Sequence, residues 1–463
     1  MQLLLEENGS FAWKCNTTTV VEEEVCAQQT ATLLNVPLIA QTTGLLSPFL
    51  GQFVDHYGPR RAAQGMTACI WTGLAFLTAA STSSSTANST AAEHLDRLLF
   101  VAFCLLAIGT WLGGLLAVQT GLYFTHHTKS RVIGLLNALF DAGSIVYLFL
   151  WWIANAANVS LTVVAGGFLA LSILVHVPAL YFWSVAIPEE ELLSPILPKE
   201  ELAEQEEEKG ELDESEVKPP KIEYEDTHII MDDDRTNGQE EPNPDNDTDL
   251  DFLPVAQRTT RQQFTSGPYL QLCLFFGLHV ATNMWNLTTM RDFLAYLGDD
   301  ELDNKYLTIF ALMMPVSILG LPFVDTVVLR FGFTGGLQGV NVLALSYSAI
   351  KVLSTNLNVQ IVGFILFSFY RCFLFSVTFG FLPILLAESV VGKAAGIMYA
   401  IAAVASFLNI PLANLAVQQF DGNFLVPNLV MMILILPCFV AAWGLGRYMK
   451  REKRLVQRTD TSA

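Results

Sequence analysis

Gly51-Gln-Phe-Val-Asp55-His-Tyr-Gly58-Pro-Arg60-Arg61 lies between two long apolar stretches, and its residue types fit a tight polar turn joining two helices. Gly51 lets two helices approach closely, and Asp55 ends its helix with a carboxylate. Gly58 supports a sharp turn, and Arg60 supplies a counter-charge, with Arg61 beside it. Crossing about 30 Å of hydrocarbon takes roughly 20 apolar residues. Eleven runs meet that requirement, near 30–54, 62–82, 97–120, 131–156, 160–187, 267–290, 306–329, 335–355, 357–383, 392–417 and 423–448.

Composition agrees with a polytopic all-α membrane protein. Of the 463 residues 52% are hydrophobic and only 15% charged, which lies outside the soluble range. The net charge of -19 is local: 25 of the 44 acidic residues and 7 of the 25 Lys and Arg lie in 188–264, so the rest of the chain is close to neutral. That stretch, with Glu206-Glu-Glu-Lys-Gly-Glu-Leu-Asp-Glu and Met231-Asp-Asp-Asp, has too little apolar content to offset ordering entropy and reads as a disordered, solvated linker. It separates five spans from six. The expected organisation is an exoplasmic segment 1–27, a helical bundle 28–187, the acidic cytoplasmic loop 188–264, a second bundle 265–448 and a basic cytoplasmic tail 449–463.

Orientation follows from positive charge. Arg60 and Arg61, Lys129 and Arg131, and Lys450 to Arg454 alternate with loops nearly free of Lys and Arg, so the Arg60 loop is read as cytoplasmic. The sequons at Asn16, Asn88 and Asn158 all fall on the opposite face, as glycosylation acceptors would. Cys15 and Cys26 flank a polar loop on that face and are a candidate disulfide, two free thiols being the alternative; the other five cysteines lie in apolar runs and read as packing residues. No histidine cluster has metal-ligand spacing and no Gly-rich loop cradles phosphate, so neither metal, cofactor nor enzyme chemistry is expected. The acidic balance speaks against nucleic acid. The expected partners are the lipid bilayer and a small molecule, with the chain acting as a monomer.

Two polar stripes break the apolar helices. Gly134, Asn137, Asp141 and Ser144 recur at helical spacing, as do Ser368, Arg371 and Thr378 with Phe375 between them. An ionisable residue at mid-membrane costs at least about 2.5–3.5 kcal/mol, so it is paired or faces water. Asp141 and Arg371 are therefore read as lying across a central cavity, either paired with each other or meeting opposite charges on a solute; a buried pair that only fixes packing is the alternative. Gly113, Gly114 and Gln119 read as helix-contact residues, and His279, Asn283 and Asn286 as either cavity or packing residues.

Gly51, Asp55, Gly58, Arg60 and Arg61 match every fixed position of the major-facilitator signature, and the chain resembles that superfamily. The resemblance implies two helical bundles rocking about a midplane site, with the Asp55–Arg60 cluster latching the cytoplasmic side. In the superfamily this signature follows the second span. Here it follows the first, so one further N-terminal helix is expected, completing six plus six. The second-half counterpart, Gly320-Leu-Pro-Phe-Val-Asp325, has one residue too many between Gly and Asp.

Shorter islands are similar to the solute carrier 43 family of sodium-independent L-type amino-acid transporters and their nucleobase-transporting relative. They are Leu4 to Cys15, Asn137-Ala-Leu-Phe-Asp141-Ala-Gly-Ser144, Tyr370-Arg371-Cys-Phe-Leu-Phe, Glu388-Ser-Val-Val-Gly392-Lys393 and Asn409-Ile-Pro411. That resemblance implies facilitated transport of large neutral amino acids, with Asn137, Asp141, Ser144, Tyr370 and Arg371 at the substrate. A nucleobase or other small solute in the same fold, a proton-coupled carrier titrating at Asp141, and a non-transporting receptor are the alternatives.

Overall fold

The computed structural model describes residues 27–81, 89–122, 132–136, 143–157, 159–185, 254–420 and 422–462, with positions 5, 10, 11, 124 and 139 besides. Cys15, Cys26, Asn16, Asn88, Asn137, Asp141, Asn158 and most of the acidic loop lie outside the described residues, as does the side chain of Ser144.

The chain forms an all-α, two-bundle membrane fold with eleven crossings, five before the acidic loop and six after it. Among the described residues, six helical stretches are each long and apolar enough to cross a bilayer by themselves. The first crossing is α1 (Ala27–Gln41), which runs through a 3-10 turn into the first arm of α2 (Ser47–Ser81). The second arm of α2, α3 (Ser89–Leu122), the short helix 132–136, α4 (Ser144–Ala157) and α5 (Leu161–Val185) complete the first bundle among the described residues. The second bundle comprises α6 (Gly267–Tyr296), α7 (Lys305–Met313) leading into α8 (Leu321–Leu353), α9 (Leu357–Leu385), α10 (Val391–Ser406) with α11 (Asn409–Gln418), and α12 (Leu425–Leu434) with α13 (Leu436–Ser462).

Two glycines turn long helices back on themselves. Gly58 has φ 77° and ψ 170°, and Gly332 has φ 70° and ψ 176°. An L side chain is strained at such angles, so glycine makes the turn, and Pro59 restarts the helix after Gly58 where its missing N–H costs nothing. The matching angles relate the two bundles as repeats, with Gly332 standing where Gly58 stands. In that register Asp325 occupies the place of Gly51, and Leu329, 78% exposed, the place of Asp55. The second copy of the turn thus lies about one helical turn further along than its sequence suggests, and it carries no carboxylate at the latch position.

The bundles meet at glycines. A Cβ on Gly51 would collide with the backbone carbonyl of Gly392, and one on Gly396 with that of Ser47, so α2 and α10 cross backbone to backbone. The repeat has a counterpart: Gly134 meets Leu321 and Ser376, and Leu321 stands eleven residues before Gly332, as Ser47 does before Gly58. Lipid gives no hydrophobic drive to join helices, so close backbone approach through small residues is what holds them.

The second bundle is organised around α6, whose middle, 275–286, is buried or half-buried at every position. Tyr269 Oη donates to the Ala394 carbonyl at 2.9 Å, Trp285 Nε1 to Asn428 Oδ1 at 2.9 Å, and Asn409 Nδ2 to the Ala281 carbonyl at 3.1 Å. In the first bundle a smaller core of Leu33, Val36, Leu74, Leu77 and Leu99 also takes in Leu5 and Phe11. The Phe11 N–H donates to Asp96 Oδ2 at 2.8 Å.

Gly58→Ala and Gly332→Ala should each cost about 1–3 kcal/mol of stability, because both positions hold a positive φ with extended ψ that is essentially restricted to glycine. Gly167→Ala, in open space within α5, should be neutral or stabilising. Thermal unfolding in detergent measures the three; equal midpoints would remove the turns from the account.

Candidate functional site

At the end of the molecule that carries Arg60, the Asp55 carboxylate reaches from the first arm of α2 to the start of α10. Asp55 Oδ1 accepts from the Gly392 N–H at 3.0 Å and Oδ2 from the Lys393 N–H at 2.6 Å, while Gln119 Nε2 of α3 donates to Oδ1 at 2.5 Å. The first-turn N–H groups of a helix have no intrahelical acceptor and carry the positive end of its dipole, so an anion there is doubly favoured. Asp55 therefore caps a helix of the other bundle rather than ending its own. Arg60, the expected counter-charge, is not among its partners, and Arg61 lies over the Tyr57 ring at 5.4 Å. The favourable charge comes from the helix end and from Lys393, whose Nζ lies 5.9 Å above the Phe264 ring.

Above this contact lies a cavity of about 1120 Å³. Its first-bundle wall comes from α1 (Pro37, Ala40, Gln41), α3 (Phe103, Thr110, Trp111, Gly114, Thr120), Leu136, Leu139 and His176 of α5. Its second-bundle wall is Val280, Met284, Arg371, Phe375 and Tyr399. Most of that lining is apolar, which leaves Arg371 as the charged group in it among the described residues.

Arg371 is 5% exposed and lies on α9. Its Nη1 donates to Asn283 Oδ1 at 2.9 Å, and the guanidinium stands 5.9 Å from both the Phe367 and the Phe375 ring. An amide oxygen and two π faces orient the cation. Asn283 belongs to a polar ladder on α6. One turn before it, His279 pairs through Nε2 with Asn341 Oδ1 at 2.8 Å, and one turn after it Asn286 Oδ1 accepts from Lys351 Nζ at 2.9 Å. Lys351 also rides 4.6 Å above the Phe293 ring. Of the two readings open for these α6 residues, His279 and Asn286 take the packing one, and Asn283 serves the cavity through Arg371.

The remaining sequence candidates separate. Tyr370 does not line the cavity: its hydroxyl donates to the His279 carbonyl at 2.8 Å inside the second bundle. Ser368 Oγ is likewise turned inward, to the Met313 carbonyl at 2.7 Å. Gly114 is a contact residue and also lines the cavity, while Gln119 supports Asp55. Tyr399, Trp111 and His176 were not legible as lining residues, because an aromatic in an apolar run carries no mark of what it faces. His176 Nδ1 is tied to the Ser172 carbonyl at 2.7 Å. Among the described residues no three His, Cys, Asp or Glu side chains are grouped to hold a metal.

A family model described as the Major Facilitator Superfamily matches residues 21–408. Solved structures similar to the chain include the human organic anion transporter MFSD10 (TETRAN), at 13% identity and TM-score 0.59, covering 95% of this chain and 89% of that one. A bacterial homologue of the iron transporter ferroportin in an outward-facing state shares 14% identity at TM-score 0.58, covering 96% and 98%. The proton:xylose symporter XylE, bound to 6-bromo-6-deoxy-D-glucose, shares 12% at TM-score 0.63, covering 96% and 90%. At these identities the likeness is one of fold. No curated protein matches the chain.

Protection of the Gly392 and Lys393 amides rests on Asp55. Removing hydrogen bonds to a charged acceptor costs about 1.5–3 kcal/mol, so Asp55→Ala should speed hydrogen exchange across 388–396 by roughly tenfold or more. Unchanged exchange would remove Asp55 from the contact.

Proposed function

Because the chain belongs to the Major Facilitator Superfamily, a non-catalytic family that moves small solutes across membranes by alternating access, we propose that it carries a small organic solute bound beside Arg371. The observation that supports this is a desolvated guanidinium on the wall of a large, mostly apolar cavity between the bundles. Such a site suits a solute with an apolar body and one anionic or strongly accepting group. Asp141, with Asn137 and Ser144, is proposed for the solute's cationic or donor end. The Arg60 end is proposed as cytoplasmic, and the acidic stretch as a solvated linker on that side.

The class is broader than amino acids. Large neutral amino acids fit through carboxylate and ammonium, and nucleobases fit through their acceptor edges. The similar structures are named for an organic anion transporter, an iron transporter homologue and a proton:xylose symporter, a spread that favours the general small-solute reading over the amino-acid one. Uptake of labelled leucine, phenylalanine, adenine and a panel of aromatic carboxylates into proteoliposomes, with and without sodium and at acid and neutral pH, distinguishes these. Arg371→Gln should lower uptake roughly thirtyfold or more, as expected when one partner of a buried charged contact is truncated at about 2–5 kcal/mol. Wild-type uptake in that variant, or no uptake of any solute by the parent, would overturn the reading.

A second proposal concerns the first bundle, which we infer takes a sixth helix. Among the described residues no helix fills the part of the hollow walled by α1, α3 and α5, and the buried Nε1 of Trp111, which lines it, has no hydrogen-bond partner. An added helix would bring that N–H an acceptor. Transcript sequence upstream of Met1 should encode an apolar run of roughly 20 residues, and restoring it should raise the unfolding temperature. A stop codon in frame directly upstream would contradict this.

A further inference from the structure

The last helix outruns its bundle. α13 continues to Ser462, but Tyr448 and Met449 are the last of its described side chains packed on the second-bundle core. Beyond them the sequence turns basic. Arg447, Lys450, Arg451, Arg454 and Arg458 recur at i, i+3, i+4, i+7 and i+11, which places all five positions on one face of the helix, with Glu452 and Asp460 on the other side. Arg447 opens this stripe 4.8 Å from the Trp443 ring, and Lys450 and Arg451 are exposed. Like charges at such spacing repel one another along a helix, so an anion laid along the stripe is favoured.

The same chain supplies one. Six crossings separate the acidic linker from the end of α13, an even number, so linker and stripe share one side of the membrane whichever side that is. Between Glu240 and Asp251 the linker carries six carboxylates, Glu240, Glu241, Asp245, Asp247, Asp249 and Asp251, and no Lys or Arg. This run ends just before Pro254, from which the chain is fixed to the second bundle. Val255 is buried, Gln263 Oε1 accepts from the Ala387 N–H at 3.1 Å, and Gln263 Nε2 donates to the Arg258 carbonyl at 2.7 Å. α6 follows at Gly267, and its Gln271 meets α13 at Gly444, about one turn before Arg447. The acidic run therefore joins the folded protein near the foot of the stripe. Glu240 is within a reach of at most roughly 50 Å of Pro254, and the stripe is only roughly 16 Å long.

An anionic lipid surface is the other source of negative charge. α13 is one continuous helix through this region, so position 458 stands roughly 16 Å beyond position 447 along its axis. That is about two Debye lengths at physiological salt, so headgroups at the level of Arg447 reach the start of the stripe but not its end. A chain segment can follow all of it. We propose that linker residues 240–251 dock on the Arg447–Arg458 face of α13, their carboxylates against its cations, and so tie the linker to the tail. The pairing rests on charge and topology and stands apart from the carrier reading.

A carbodiimide joins a carboxylate to an amine it touches, so Lys450 and its neighbour Lys453 report the pairing in the unaltered protein. In nanodiscs of neutral lipid at low salt, mass spectrometry should find both lysines linked to 240–251. The links should vanish at 1 M salt, where the Debye length is about 3 Å. Arg447→Gln, Arg451→Gln, Arg454→Gln and Arg458→Gln together keep both lysines and should lower the yield roughly tenfold, as several weak surface pairs are lost at once. No links to 240–251, links spread evenly over the other acidic runs of the linker, or a yield that salt and the four substitutions leave unchanged would overturn the docking. Loss of the links in nanodiscs containing phosphatidylserine would assign the stripe to lipid and overturn it as well.

Discussion

The Asp55 carboxylate at the start of α10 is the interaction on which the arrangement of the two bundles depends. It works only because Gly51 and Gly392 let the two backbones touch; a side chain at either position would push the helix end out of hydrogen-bond reach. Given that approach, one carboxylate satisfies two first-turn amides and meets the positive end of a helix dipole. The contact is made by a half-buried carboxylate near the membrane edge, where water can replace it when the bundles part. A hydrophobic join of similar strength would not dissolve so readily. The repeat built on Gly332 lacks the carboxylate, so the two inter-bundle crossings are unequal: one is capped and the other relies on packing at Gly134.

The interior follows a different rule. Ionisable groups within the membrane must be held by something, and here the amides of α6 hold them. Asn283 and Asn286 present their oxygens to Arg371 and Lys351, and aromatic faces complete each environment. Arg371 borders the cavity, so the side chain these contacts orient lies on its wall.

Much of this was legible in the sequence, for identifiable reasons. Apolar runs of span length announce membrane helices whatever their neighbours, and Gly58 followed by proline announces a break. The resemblance singled out Asp55 but not its partner, because the amides it caps lie 337 and 338 residues further along the chain. Arg60 was the nearest cation in sequence and drew the assignment; the actual favourable charge is a helix end, which has no residue letter. Tyr370 was grouped with Arg371 because both lie in an island that resembles the solute carrier 43 family, yet adjacent helical residues point about 100° apart, and the Tyr370 hydroxyl turns into the bundle.

The account requires that the two bundles separate at the Arg60 end and that the Asp55 contact opposes this. Spin labels on His56 and Ser389, both exposed there on opposite bundles, allow the separation to be measured by pulsed electron resonance in lipid nanodiscs. The parent protein should show a dominant short distance with a minor longer one, and Asp55→Ala should shift most of the population to the longer distance. A single distance, the same in both proteins, would contradict the account.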